Sequence, residues 1–180
     1  MEAINMIKER RSIRKYLDQK VDRETMKEIV KNARWAPSWA NFQIARYTII
    51  DDKKIIERIA NEGVHGFSYN IGTLKNTPGI AVLSYVLGKS GKVSDSEYAT
   101  AKGNDWEMFD AGIACQTFCL AAHEKGIGTC IFGIIDDKAI SQIISLPINE
   151  TVASIIAFGY PDETPKPSSR KDVEDIIRFI

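Results

Sequence analysis

Residues 109–122 read FDAGIACQTFCLAA. Asp110, Gln116 and Thr117 alone interrupt an apolar or small run, and no proline breaks it. Such a run is too long for a strand, and a helix that is apolar on all sides must be covered on all sides. Ala111, Gly112, Ala114, Cys115 and Cys119 are small enough to let another backbone come close. The spacing therefore predicts a helix over 105–125 that lies at the centre of the molecule and also contributes to a large subunit interface.

The rest of the chain arranges itself around this helix. Downstream, Gly126 stops it, 129–132 forms a short strand, and Gly133 makes a turn. Asp136 or Asp137 then caps a helix carrying Ile140, Ile143 and Ile144. Residues 152–158 are a last buried strand. Pro161, Pro165 and Pro167 give an extended tail over 160–180 that ends in the periodic Val173, Ile176, Ile177 and Ile180. Upstream, 79–86 is a continuous apolar run suited to a strand buried on both faces. Between it and the long helix, residues 87–103 are polar and unpatterned, a flexible surface excursion able to serve as a lid. Residues 63–77 form a flexible passage. Asp52 and Asp22 cap two further helices, 46–51 is a strand, and a first helix covers about 2–10. Strands alternate with helices throughout, which argues for one layered α/β or α+β domain over 1–180.

Composition excludes several functions. Lys plus Arg count 24 and so do Asp plus Glu, so no net field draws the chain onto nucleic acid or an anionic membrane. Cys115, Cys119 and Cys130 form no CxxC pair and no even framework; reduced thiols follow, and metal binding has no support. His65 and His123 lack a matched nucleophile. There is no signal-peptide pattern and no apolar run long enough to span a bilayer, so the expectation is a soluble cytoplasmic protein. Neither GxGxxG nor GxxxxGK[ST] occurs.

If phosphate binds, arginines hold it. Arg10-Arg11-Ser12-Ile13-Arg14-Lys15-Tyr16 concentrates four cations and a hydroxyl in seven positions. Arginine forks match phosphate oxygens. Cations at a helix C-terminus also complement the macrodipole, so phosphate site and helix cap are both open readings. The loop over 36–43, with Pro37, Ser38, Trp39, Asn41 and Gln43, is dense in hydrogen-bonding groups, for which local capping is the competing role.

Taken in order, the Arg10–Arg14 start, Ala36-Pro37-Ser38 with Asn41 and Gln43, the Asp110–Gln116 helix, Gly126-Ile127-Gly128-Thr129-Cys130-Ile131-Phe132-Gly133, Gly159-Tyr160-Pro161 and Arg170 resemble the nitroreductase family of flavin-dependent oxidoreductases. The resemblance runs along nearly the whole chain. It implies a central mixed, mainly antiparallel sheet flanked by helices, and an intertwined homodimer with FMN at its interface. It implies alternating half-reactions: NADH or NADPH passes hydride to flavin N5, then an oxidised acceptor such as a nitroaromatic or quinone is reduced. Carried over by position, Arg10, Ser12, Arg11 and Arg170 hold the FMN phosphate and ribityl chain, and Arg14 lies by flavin N1. Pro37, Ser38 and Trp39 come from the partner subunit, and Asn41 and Asn70 are candidate ring-contacting amides. Gly133 with the Ile134 amide approaches N5. Trp39 is bulkier than the family's usual residue, Gln43-Ile44-Ala45 replaces Gln-Pro-Trp, and whether Lys75 substitutes for a ring-side lysine is open. Other branches of the family carry out reductive dehalogenation or flavin breakdown, and a non-catalytic flavin-binding or flavin-sensing protein is a further reading.

Overall fold

The computed structural model describes residues 2–66, 68–94 and 97–180. Its elements follow in chain order: α1 (Ala3–Glu9), α2 (Arg23–Ala33), β1 (Ala45–Ile50), α3 (Lys53–Glu62), α4 (Ser68–Lys75), β2 (Gly79–Val86), β3 (Lys92–Ser94), β4 (Glu97–Tyr98), α5 (Asp105–Glu124), β5 (Gly128–Phe132), α6 (Asp137–Ile143) and β6 (Glu150–Gly159). Aspartates start three of the helices. Asp22 accepts from the Thr25 amide at 2.8 Å, Asp52 from the Lys54 amide at 2.8 Å, and Asp136 from the Ala139 amide at 2.9 Å. Each satisfies a backbone donor that the first helical turn leaves unpaired.

Four strands form one sheet in the order β1-β2-β6-β5, every neighbouring pair antiparallel. The strand alternation explains why β2 and β6 are largely apolar, with Ser84 and Ser154 as buried polar residues. Ala81, Leu83, Ile156 and Phe158 face α2 and α5, where Ile29, Ala33 and Phe118 meet them. Ile80, Val82, Ile155 and Ala157 face the other way, onto Ile56 and Ile59 of α3, Leu74 of α4 and Ile140 of α6. Helices thus cover both faces, and both inner strands lie wholly in the core. The 63–77 passage, read as irregular, contains α4; Asn70, Gly72 and Thr73 are poor helix formers, and packing of the fully buried Leu74 supplies what propensity does not.

Within the chain, the long helix α5 is buried along one face. Ala111, Ala114, Cys115, Phe118, Cys119 and Ala122 are buried. On the opposite face Met108 is 49% and Phe109 58% exposed, and Gly112 and Gln116 are exposed as well. Within one chain the helix is covered on one side only. A β carbon built on Gly112 meets nothing within 4 Å, so no packing inside the chain calls for glycine in mid-helix, where it costs about 1 kcal/mol relative to alanine.

The excursion over 87–103 is tied to α5. Glu107, 1% exposed, accepts from the amides of Gly88 at 2.5 Å and Lys89 at 3.0 Å, and the Trp106 indole donates to Thr100 Oγ1 at 2.8 Å. β3 and β4 pair antiparallel within it; residues 95 and 96, expected to be solvated surface, lie outside the described residues.

Candidate functional site

The cationic segment leaves α1 and runs beside β5. Ser12 and Thr129 form a parallel bridge, and the Ile13 amide donates to the Thr129 carbonyl at 2.9 Å. Gly128 permits this approach, because a β carbon there would stand 2.7 Å from Ile13 Cγ1. Ile13 is the buried residue of the segment, which leaves its polar neighbours at the surface of the fold. Arg10 and Arg11 line a cleft of about 550 Å³ together with His123, Thr129 and the first residues of the tail. Two buried nitrogens in it, Arg10 Nε and His123 Nε2, have no hydrogen-bond partner among the described residues. Burial, reinforced by Arg10 and Arg11 against the opposing Glu9, lowers the pKa of His123. The imidazole is therefore neutral where an ordinary histidine begins to charge, and the cleft's positive charge rests on the arginines. A buried guanidinium N–H without an acceptor carries a desolvation cost, and a bound anion removes it.

Glu163 pins the far end of the segment, its Oε1 accepting from the Arg14 amide at 2.5 Å and the Lys15 amide at 3.2 Å. No motif signals Glu163 in the sequence. The Arg14 side chain is exposed, its Nη1 donating weakly to the Ser12 carbonyl at 3.4 Å. Gly133 lies at the other end of β5, four residues beyond Thr129 and so roughly 13 Å along the strand at ~3.3 Å per residue. Its β-carbon position is open for 4 Å within the chain, and its φ lies outside the left-handed range. Neither packing nor backbone conformation within the chain requires glycine there. Ile134 next to it is 52% exposed. Asn70 is half-buried on α4.

The second group of candidates is on the opposite edge of the sheet. Residues 37–44 lead into β1, while the cationic segment borders β5, and three strand spacings of ~4.8 Å put roughly 14 Å between those edges. The loop is held in a strained shape. Ala40, Asn41 and Gln43 have φ of 44°, 56° and 50°, a region that costs a residue with a side chain of order 1 kcal/mol or more. Ser38 Oγ accepts from the Gln43 amide at 2.8 Å, and Arg46 Nη1 donates to the Gln43 carbonyl at 2.8 Å. Asp110, 4% exposed, accepts from the Trp39 amide at 3.0 Å and from Ser90 Oγ at 2.5 Å. One carboxylate on α5 thus joins this loop to the excursion, a role that the lone acid in an apolar helix hinted at without naming its partners. Trp39 packs on Trp106 with the rings tilted at 52° and a centroid distance of 5.0 Å, so its bulk is taken up against α5. A cleft of about 440 Å³ opens between this loop and α2, lined by Pro37, Ser38, Gln43, Arg46 and Tyr47.

Asp110→Ala leaves the Ser90 hydroxyl and the Trp39 amide without an acceptor. It is expected to lower stability by about 2–3 kcal/mol in denaturant titration, with Asp110→Asn recovering part of the loss.

Arg170 stands apart from both groups. Among the described residues its guanidinium bonds only to the carbonyls of Ser168 at 3.3 Å and Ser169 at 3.1 Å. Lys75 is in α4, and its carbonyl accepts from Lys53 Nζ. No group of three metal-ligating side chains occurs among the described residues, and none of the described helices is long and apolar enough to cross a membrane.

Comparison with known proteins follows the same outline. The nitroreductase family model matches residues 7–160. A putative NADH dehydrogenase/NAD(P)H nitroreductase from Methanothermobacter thermautotrophicus is 29% identical over 169 residues, covering 92% of this chain and 80% of its own. The structure of an FMN-dependent nitroreductase from Clostridium difficile R20291 is 29% identical, with a TM-score of 0.75 and 98% of both chains covered. A nitroreductase family protein from Streptococcus pneumoniae is 19% identical with a TM-score of 0.85, covering 99% of this chain and 100% of its own, a likeness of fold.

Proposed function

The chain belongs to the nitroreductase family, and from that premise we propose that it is an FMN-dependent oxidoreductase that takes hydride from NADH or NADPH and reduces a nitroaromatic or quinone. The observation that carries this reading is the layout of the β5 edge. A cationic segment whose Arg10 Nε is buried with no hydrogen-bond partner among the described residues stands at one end, and a glycine that the chain itself does not need stands at the other. That edge suits a long molecule with an anionic tail and a flat head.

FMN, when bound, supplies a ring that accepts hydride at one step and gives it up at the next. The chain's own residues bind and orient. Arg10, Arg11 and Ser12 hold the terminal phosphate through charge-assisted hydrogen bonds. Arg14, exposed and held at its amide by Glu163, offers a cation to the ring edge that gains negative charge on reduction. Gly133 leaves room for the ring, and the Ile134 amide is its donor.

Pro37, Ser38, Trp39 and Asn41 complete the pocket from a second copy, in keeping with their place on the opposite sheet edge. The bare face of α5 is where two copies meet, Gly112 letting the helices approach and Phe109 covering the contact. Phe109→Glu puts a charge into that contact and is expected to give a monomer in analytical ultracentrifugation that no longer retains FMN; a dimer of unchanged affinity contradicts this assignment.

The function is tested with FMN-loaded protein, NADH or NADPH, and a panel of nitroaromatic, quinone and halogenated aromatic acceptors. Turnover of nitroaromatics or quinones supports the proposal. Turnover confined to dehalogenation, or FMN binding without reduction by nicotinamide, overturns it.

A further inference from the structure

A short antiparallel contact runs beside Gly133. Val64 and Ile135 form a bridge, and the Asp136 amide donates to the Gly63 carbonyl at 2.9 Å. The register that pairs 63 with 136 and 64 with 135 sets His65 opposite Ile134. Alternation then sorts the side chains. Val64, 5% exposed, and the half-buried Ile135 turn into the core, whereas His65, Ile134 and Asp136 share the outer face. His65 Nε2 lies 3.6 Å from Asp136 Oδ2, with the two side chains 65% and 34% exposed. The other oxygen of that carboxylate, Oδ1, accepts from the Ala139 amide at 2.9 Å, so the start of α6 fixes the carboxylate that faces the imidazole. With Nε2 turned to Asp136, Nδ1 is free to meet a molecule in front of Ile134.

We propose that His65, oriented by Asp136, is the proton donor to the acceptor in the oxidative half-reaction; this rests on the reading that Gly133 and Ile134 border the flavin. A quinone becoming a hydroquinone takes up two electrons and two protons. One hydride comes from the cofactor reduced by NAD(P)H, which is oxidised by two electrons. The second proton comes from His65 Nδ1: the N–H bond breaks, an O–H bond forms on the acceptor, and the neutral imidazole regains its proton from water. The titratable and charged groups on the neighbouring elements are Glu62 of α3, Tyr69 of α4, and Asp136, Asp137 and Lys138 at the start of α6. Glu62 is paired with Arg58 at 3.1 Å, and among the described residues Asp136 alone is within ion-pair reach of His65.

The test uses FMN-loaded protein reduced with NADH and mixed rapidly with 1,4-benzoquinone or with ferricyanide, which accepts electrons without a proton. His65→Gln should slow quinone reduction at pH 6 by about 10², the lower end for a positioned acid, and remove the pH dependence that a side-chain acid gives the rate. Ferricyanide rates and flavin reduction by NADH should be unchanged. The chain has two histidines, so its proton NMR titration contains two imidazoles, and His65→Gln identifies one. Asp136→Asn should displace the His65 ring resonances, because the carboxylate that orients the imidazole loses its charge. A quinone rate and pH profile indifferent to His65→Gln, or equal slowing with ferricyanide, overturns the proposal. Unmoved His65 resonances in Asp136→Asn overturn the role of Asp136. Protein that binds no FMN, or is not reduced by NADH, overturns the underlying reading instead.

Discussion

Arg10→Ala is expected to weaken FMN binding by about 10²- to 10⁴-fold, matching the roughly 3–5 kcal/mol lost when one partner is removed from a buried charge pair. Arg10 is the cation whose Nε is already buried without an acceptor, in a cleft whose histidine burial keeps neutral. No other described cation in that cleft has an unpartnered buried nitrogen, and Arg11 spends its Nη1 on the carbonyls of Lys8 at 2.6 Å and Arg10 at 2.9 Å. Arg14→Gln separates the two jobs. Its side chain is exposed, so affinity should change by less than about tenfold, while loss of a charge worth ~1 kcal/mol to the reduced ring should lower the two-electron potential by roughly 20 mV. Equilibrium fluorescence quenching gives the affinities and a dye-coupled titration the potentials. Equal effects of the two replacements on both quantities contradict the division of roles.

Gly133→Val is expected to leave the fold intact and remove the cofactor. No atom of the chain lies within 4 Å of the added β carbon, and the backbone is not in the left-handed region, so the melting temperature of the FMN-free protein should shift by no more than about 2 °C. FMN affinity should fall by about 10²-fold if the ring occupies that space, a loss of ~2.7 kcal/mol. Gly128→Ala behaves in the opposite way. Its β carbon meets Ile13 Cβ at 2.8 Å, so the change forces the cationic segment off β5 and destabilises the chain by about 1–3 kcal/mol. Paired thermal melts and FMN titrations distinguish a glycine kept for a ligand from one kept for packing.

Much of this was legible in the residues. The β2 and β6 runs are largely apolar because helices lie on both sides of the sheet, and the Asp22 and Asp52 caps sit where a side-chain oxygen before an apolar stripe puts them. Less legible was what is settled by packing at a distance. α4 has weak helix formers and is held through Leu74. The apolar circumference of α5 pointed to a core position together with a subunit interface, but not to which face the chain itself covers. The resemblance assigns the Arg10–Arg14 segment and the Pro37–Trp39 loop to different subunits of one pocket, and it takes the strand order β1-β2-β6-β5 to show that within one chain they border opposite edges of the sheet. Asp110 was visible as an odd acid in an apolar helix, although its two loop partners, 71 and 20 residues away, were not. His65 looked like a lone histidine until the 64–135 bridge placed Asp136 beside it.

The most direct test of the central claim is the visible spectrum of the purified chain after incubation with FMN and gel filtration, recorded before and after anaerobic addition of NADH or NADPH. The account predicts that flavin absorbance travels with the protein at about one FMN per chain and bleaches on addition of the nicotinamide, with Arg10→Ala eluting colourless. A wild-type protein that elutes colourless, or holds a flavin that neither nicotinamide bleaches, contradicts it.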